Sequence, residues 1–322
     1  MIQLPIEETY EFNYYSSAVT LPNGSIMITG GGVSNAVCQI YLTAPQNSKS
    51  SHIKVIHRES MAQARKEHAS VYLQNGVYVL GGYNGIKNSF LSSCERFDLE
   101  TNQWTQISDM QIPKCAFGAT TIANRYIFTV GGYDGSVRLN IIEKYDINTS
   151  KWTLLNFEMK QALSNSACFA YSDHSIMILG GGHNVGFSLE MNQFDIESHD
   201  WKYFPSMADG KDLRNKIAVF NGEVFAMGGN NCIAEKYSIK DNEWSLISSY
   251  QDLINDNLDS WSCALHYFTK KTEETHFPLV YNTGYKPQIP PSLNYNSYAY
   301  SRLYGDEPPS EPSSSSEQED NL

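Results

Sequence analysis

Five times along this chain an apolar, β-branched run ends in a pair of glycines: ITGGG (Ile28–Gly32), VLGGY (Val79–Tyr83), TVGGY (Thr129–Tyr133), ILGGG (Ile178–Gly182) and AMGGN (Ala226–Asn230). Counted from Gly30, Gly81, Gly131, Gly180 and Gly228, the steps are 51, 50, 49 and 48 residues. A weaker copy, LVYNTGY (Leu279–Tyr285), keeps only Gly284, 56 residues further on. A period of this length means small supersecondary units that cannot bury their apolar surface alone and must stack on one another. This repeat restricts the fold more than any other feature of the sequence.

A second feature recurs inside the units. Phe97, Tyr145, Phe194 and Tyr237 precede Trp104, Trp152, Trp201 and Trp244 by seven residues, in ERFDLETNQW, EKYDINTSKW, NQFDIESHDW and EKYSIKDNEW. Each word reads as a strand, a polar turn and a second strand opening with an aromatic. Upstream, Asn23-Gly24, Asn75-Gly76 and Asn221-Gly222 precede their glycine pairs by four to six residues. Asn-Gly suits a type I′ turn, in which both central residues need positive φ. Each unit is therefore expected to be four antiparallel strands: A, the Asn-Gly turn, B ending in Gly-Gly, a longer loop, C with its aromatic, and D with its Trp.

A twisted four-stranded sheet with two apolar faces finds cover, and protects its edges, by stacking radially into a β-propeller. The Gly-Gly pair, the [FY]-D-x-x-x-x-x-W word and the period near 50 resemble the kelch repeat, from about Tyr14 to Tyr304. The resemblance implies an all-β, six-bladed kelch-type β-propeller, with blades around Gly30, Gly81, Gly131, Gly180, Gly228 and Gly284. Two copies depart from the pattern. The first has HIKVIH (His52–His57) in place of a Trp-bearing strand D, and the sixth has lost a glycine and its Trp. Ile2-Gln3-Leu4-Pro5 resembles a strand D and is expected to complete the last blade, closing the ring. Residues 1–304 form the propeller on this reading. Residues 305–322 form an acidic, Ser/Pro-rich tail expected to be disordered. Ser314 and Ser316, each with a Glu three residues on, resemble sites for an acidophilic kinase.

Composition narrows the function. Against 23 Lys and Arg stand 35 Asp and Glu, a net charge of -12, the reverse of what a nucleic-acid binder needs. No apolar run is long enough to span a bilayer, and the N-terminus lacks the pattern of a secretory signal. Six cysteines without a CxxC pair argue for reduced thiols and a cytoplasmic location.

Strand parity places the A–B and C–D turns on one face and the longer B–C and D–A loops on the other, where a functional mouth is expected. The B–C loops offer Tyr83, Asn84, Tyr133, Asp134, Arg138, His183, Asn184, Asn230, Asn231 and Tyr285. The D–A loops offer Arg65, Lys66, His68, Lys114, Lys211 and Arg214. In kelch substrate receptors, residues after the Gly pair and basic residues of the D–A loops line the ligand surface, and the resemblance carries that place to Tyr83, Tyr133, His183, Asn230 and Arg65. Arg65, Arg138 and Arg214 beside tyrosine rings suit an acidic peptide, through bidentate pairs and stacking.

Enzyme patterns fare poorly. His68 and His183 alone face the expected mouth, too few for a copper-oxidase-like centre. An E-x3-D-x3-H iron site fails because Met191 stands where the acid is needed, four before Asp195, with His199 following. No zinc, phosphate-loop or nucleophile-elbow motif is present. An acid pair from Asp134 and Asp256 leaves a sugar mutarotase or epimerase as the enzymatic alternative. The reading is thus a non-catalytic, cofactor-free protein-binding module of adaptor or substrate-receptor type, without a BTB or F-box segment, so that any ubiquitin-ligase link needs another subunit. Actin or cytoskeletal binding is the alternative.

Overall fold

A computed structural model of the chain describes residues 13–43, 52–213, 217–220, 222–226 and 233–249. They carry 24 strands in chain order. Blade 1 comprises β1 (Ser17–Thr20), β2 (Ile26–Thr29), β3 (Val37–Thr43) and β4 (His52–Arg58). Blade 2 has β5 (Ala69–Leu73) and β6 (Gly76–Leu80), a small hairpin β7 (Tyr83–Asn84) and β8 (Ser89–Phe90), then β9 (Cys94–Asp98) and β10 (Gln103–Ile107). Blade 3 is β11 (Gly118–Ile122), β12 (Tyr126–Val130), β13 (Ile142–Asp146) and β14 (Lys151–Leu154). Blade 4 is β15 (Ala167–Ser172) and β16 (Ser175–Leu179), a hairpin β17 (Gly182–His183) and β18 (Gly186–Phe187), then β19 (Met191–Asp195) and β20 (Trp201–Tyr203). Blade 5 is β21 (Ile217–Phe220), β22 (Glu223–Ala226), β23 (Ile233–Ser238) and β24 (Glu243–Ser249). Every blade is a four-stranded antiparallel meander in the order A-B-C-D. The A strands of blades 1 to 4 are neighbours in space and therefore line the axis. The architecture is an all-β propeller with four strands per blade, and five blades stand among the described residues. The sixth copy around Gly284, the closing strand at Ile2–Pro5 and the tail lie outside them.

The aromatic–Trp word is legible in the register. Phe97 stands opposite Trp104, Tyr145 opposite Trp152, Phe194 opposite Trp201 and Tyr237 opposite Trp244. Ring centroids are 4.9–5.3 Å apart in all four pairs. The Asp after the aromatic forms the turn between them. Asp98 Oδ1 accepts the N–H groups of Glu100 and Thr101, and Asp195 Oδ1 those of Glu197 and Ser198. Three Trp indoles then donate backward to the preceding D–A segment: Trp104 to the Glu59 carbonyl at 2.7 Å, Trp152 to Ser108 at 3.0 Å and Trp244 to Pro205 at 2.8 Å. The large rings fill the space between sheets while their one polar atom stays satisfied.

The seams between blades repeat one device. Each D–A segment opens with a buried Met (Met61, Met110, Met159, Met207) followed four residues later by Arg65, Lys114, Leu163 or Lys211. The backbone carbonyl of that residue accepts the N–H of the second glycine of the preceding blade: Gly31, Gly82, Gly132 and Gly181 at 2.8–2.9 Å. Side chains of the three cations reach forward to a glutamate on strand C of the next blade. Arg65 meets Glu95 at 2.7 Å, Lys114 meets Glu143 at 2.6 Å and Lys211 meets Glu235 at 2.9 Å, all buried. In blade 4, where Leu163 replaces the cation, Asn192 replaces the glutamate at the same register. Gly132 shows why glycine is needed at the seam. Its φ is +111°, and a Cβ there would lie 2.9 Å from the Cys115 carbonyl.

A second repeat was invisible in the sequence. At the axial end of each D–A segment one backbone N–H donates to the corresponding carbonyl of the blade before: Glu67 to Tyr15 (3.0 Å), Ala116 to Glu67 (2.8 Å), Asn165 to Ala116 (2.6 Å) and Leu213 to Asn165 (3.0 Å). Tyr15, Glu67, Ala116 and Asn165 all have φ between +52° and +61°. This chain of hydrogen bonds ties the mouth of the channel across five blades and holds the loops above it in place.

The Asn-Gly expectation fails in blade 1, where Thr20 pairs with Ile26 across a five-residue connection and only Gly24 of the pair has positive φ, and it needs a correction in blade 2. Leu73 pairs with Gly76, so the central turn residues are Gln74 and Asn75, with φ +44° and +57°. Gly76 belongs to the strand. Its lack of a Cβ accommodates the Arg96 guanidinium, whose Nε would stand 2.5 Å from one.

Candidate functional site

The B–C and D–A loops share one face, as the strand order requires. Their local structure follows a rule set by the glycine pair. The residue after the pair bridges back to the D–A segment, in Lys66–Tyr83, Cys115–Tyr133 and Ser164–Gly182. The next residue turns the loop by accepting backbone N–H groups with its side chain. Asn84 Oδ1 accepts from Ile86 and Lys87 at 3.0 Å, and Asp134 Oδ1 from Ser136 and Val137 at 2.8 Å. His183 Nδ1 accepts from Val185. Gly182, not His183, is therefore the counterpart of Tyr83 and Tyr133, so the aromatic positions end at blade 3.

What these loops bring together is a continuous track. Lys66 Nζ stands 5.7 Å from the Tyr15 ring centre and 5.3 Å from that of Tyr83. The Tyr83 hydroxyl donates to Asn88, which steadies the ring. Tyr83 then meets Phe90 edge-on at 5.0 Å, and Phe90 meets Tyr133 at 5.7 Å, crossing from blade 2 to blade 3. Tyr133 pairs with Arg138, whose guanidinium reaches blade 4 through Ser164 Oγ at 3.2 Å and Asn184 Oδ1 at 3.4 Å. Exposed aliphatic side chains sit near the tips of the same loops: Val33, Ile86, Val137 and Val185. A cation thus stands at each end, with rings between and aliphatic tips alongside.

Several residues expected at this surface do not belong to it. Arg65 is fully buried, its guanidinium used by the carbonyls of Gly81 and Ser93 and by Glu95. The neighbouring Lys66 takes the outward place. His68 is buried too, with Nε2 2.7 Å from Thr29 Oγ1, and burial beside Arg65 pulls its pKa down to about 3. Asn84 is buried as a turn-former, and Lys114 and Lys211 are inside the seams. Tyr83, Tyr133, Asp134, Arg138, His183 and Asn184 are half-buried or exposed on the loop face. Arg214, Asn230, Asn231 and Tyr285, with Asp256 and the serines 314 and 316, lie outside the described residues. Sequence reasoning passed over Tyr15 and Phe90 and underrated Lys66. Phe90 carries no motif; its signal is only that it stands eight residues past a glycine pair in a longer loop.

Other sites offer less. Cys38, Cys94, Cys115 and Cys168 are buried, and burial raises the thiol pKa of Cys94 to about 12 and that of Cys168 as well. Among the described residues no three His, Cys, Asp or Glu side chains gather as metal ligands, and no helix is long and apolar enough to cross a membrane. An open depression on the opposite face, between Thr121–Ala123 and Ala170–Asp173, brings in one ionisable pair of side chains, Tyr171 and Asp173, and no cation.

Comparison with known proteins places the chain. The KLHDC2/KLHL20/DRC7 Kelch-repeats domain matches residues 16–229. A RING finger domain and kelch repeat-containing protein of Dictyostelium discoideum is 37% identical over 28% of this chain and 9% of its own length. Kelch-like protein 25 of Xenopus tropicalis is 24% identical over 60% of this chain and 34% of its own. Alpha-scruin of Limulus polyphemus is 26% identical over 80% of this chain and 28% of its own. The chain thus spans about a third or less of the length of these relatives. Since the match runs over more than half of the chain and takes in its five glycine pairs and three of its four aromatic–Trp words, this protein belongs to the kelch-repeat family.

Proposed function

We propose that the chain is a non-catalytic protein-interaction module, of adaptor or substrate-receptor type, that captures a partner protein on its B–C/D–A loop face. The observation that carries this reading is the track from Lys66 to Arg138. Two cations with no carboxylate paired to them among the described residues are held in place, Lys66 by the Tyr15 and Tyr83 rings and Arg138 by the Ser164 and Asn184 side chains. Pre-organisation of this kind lowers the ordering entropy lost on binding. The relatives' kelch repeats and the rigid seams beneath the loops support the same reading. The absence of a CxxC pair among six cysteines fits a reducing, cytoplasmic setting.

Affinity capture followed by mass spectrometry, with Lys66→Glu/Arg138→Glu beside wild type, tests it. The charge-reversed protein should lose the captured partner while its melting temperature holds, and a Lys151→Glu control at the start of β14, on the opposite face, should keep it. Capture that survives both reversals refutes the assignment of this face. Actin co-sedimentation separates the cytoskeletal alternative, which requires pelleting with filaments.

A further inference from the structure

The track has a length and an order of chemistry, and both say something about what lies on it. Three contacts of 5.3, 5.0 and 5.7 Å lead from the Lys66 ammonium through Tyr83 and Phe90 to the Tyr133 ring, and Arg138 is bridged to Tyr133. An extended chain advances about 3.3 Å per residue, so about five or six residues cover this path. The rings meet edge to face, at 64° and 73°, so the stretch between the cations is apolar and corrugated rather than flat. Ile86 and Val137, 70% and 56% exposed, add aliphatic surface from the loops of blades 2 and 3.

Charge defines the two ends. The chain carries -12 overall, yet on the track no carboxylate is paired with Lys66 or Arg138 among the described residues. Arg138 uses Nε and Nη1 on Ser164 and Asn184, and those bonds aim the guanidinium without neutralising it. His183 stands next to Asn184 on the same loop, with Nδ1 turned to the Val185 N–H. Two acids stand near the track among the described residues: Asp134, one of whose oxygens is already used by two N–H groups of its own turn, and Glu67, which is buried beside Lys66 with Oε2 on the Cys115 thiol.

Resting on the loop-face reading above, we infer that the partner presents an extended peptide segment with two carboxylates about five or six residues apart, separated by apolar or aromatic side chains. One acid pairs with Lys66 and the other with Arg138. The intervening side chains lie on Tyr83, Phe90 and Tyr133.

A phage-displayed library of random 12-residue peptides, panned on the immobilised full chain, tests this without knowing the partner. Enriched peptides should carry two Asp or Glu at that spacing with aliphatic or aromatic residues between. Fluorescence polarisation of the tightest peptide should show at least tenfold weaker binding to Lys66→Glu and to Arg138→Glu, both with wild-type melting temperatures. Replacing one peptide acid by Lys should restore binding to only one of the variants, and replacing the other acid should restore the other. Peptides that respond to these reversals but carry one acid, or lack the apolar stretch, overturn this inference and leave the loop-face function standing. Failure of the charge swaps to tell the two ends apart does the same. Peptides indifferent to both reversals, or no enrichment at all, overturn the loop-face function and this inference with it.

Discussion

Replacing Lys114 by Leu, alone and together with Glu143→Asn, probes the logic of the seams. Lys114 and Glu143 are wholly buried, with Nζ 2.6 Å from Oε2, and the other carboxylate oxygen accepts the Gln111 N–H at 2.7 Å. Burial pulls the Lys114 pKa down and Glu143 pulls it back up, the pattern of a pair that neither partner can leave without penalty. Removing the ammonium alone strands a buried carboxylate with a single N–H, which costs about 3–5 kcal/mol. Blade 4 shows the neutral alternative at the same register, with Leu163 and Asn192. The double substitution should therefore lose much less than the single one, within ~2 kcal/mol of wild type. Urea unfolding followed by Trp fluorescence, run as a double-mutant cycle, measures this. A Lys114→Leu loss below ~1 kcal/mol, or a double-mutant loss equal to the sum of the singles, would refute the reasoning.

Other outcomes follow from single positions. His68 is neutral when folded, with a pKa of about 3 against 6.5 unfolded, so the unfolded chain binds the extra proton between those values. Stability should then fall as pH drops from about 6.5 toward 3, by at most ~1.4 kcal/mol per pH unit from this group, and His68→Gln should flatten that slope in denaturation at stepped pH. Trp152→Ala removes a buried wedge and leaves the Ser108 carbonyl without its indole donor; a loss of about 3–5 kcal/mol is expected in the same urea assay. Gly132→Ala forces a Cβ against the Cys115 carbonyl at φ +111°, and should cost ~2 kcal/mol or more, read as a lowered melting temperature. An unchanged melting temperature would show that the seam relaxes freely.

How much of this was written in the sequence differs from feature to feature. The aromatic–Trp words and glycine pairs were legible because each is a local motif with one steric solution, and the cross-strand pairing of Phe97 with Trp104 follows from the turn between them. The seam pairs were half legible. Lys114 and Glu143 stand 29 residues apart, so the cation looked free until the blades were stacked. Arg65 and Lys66 illustrate the same limit at the site. Both are basic and adjacent in one loop, and only the strand continuing from Gly81 determines which turns inward. Asn84 looked like a surface amide because its partners are backbone N–H groups, which every residue but proline carries. The positive-φ chain through Tyr15, Glu67, Ala116 and Asn165 had no sequence signal, since none of the four is glycine.

Hydrogen–deuterium exchange of the full chain, alone and saturated with the tightest library peptide, addresses the central claim most directly. Slowed exchange is expected at Tyr83–Phe90, Tyr133–Arg138 and His183–Val185, with the C–D turns at Leu99–Asn102 and Ile147–Ser150 unchanged. Protection confined to those turns, or spread evenly over both faces, would contradict the account.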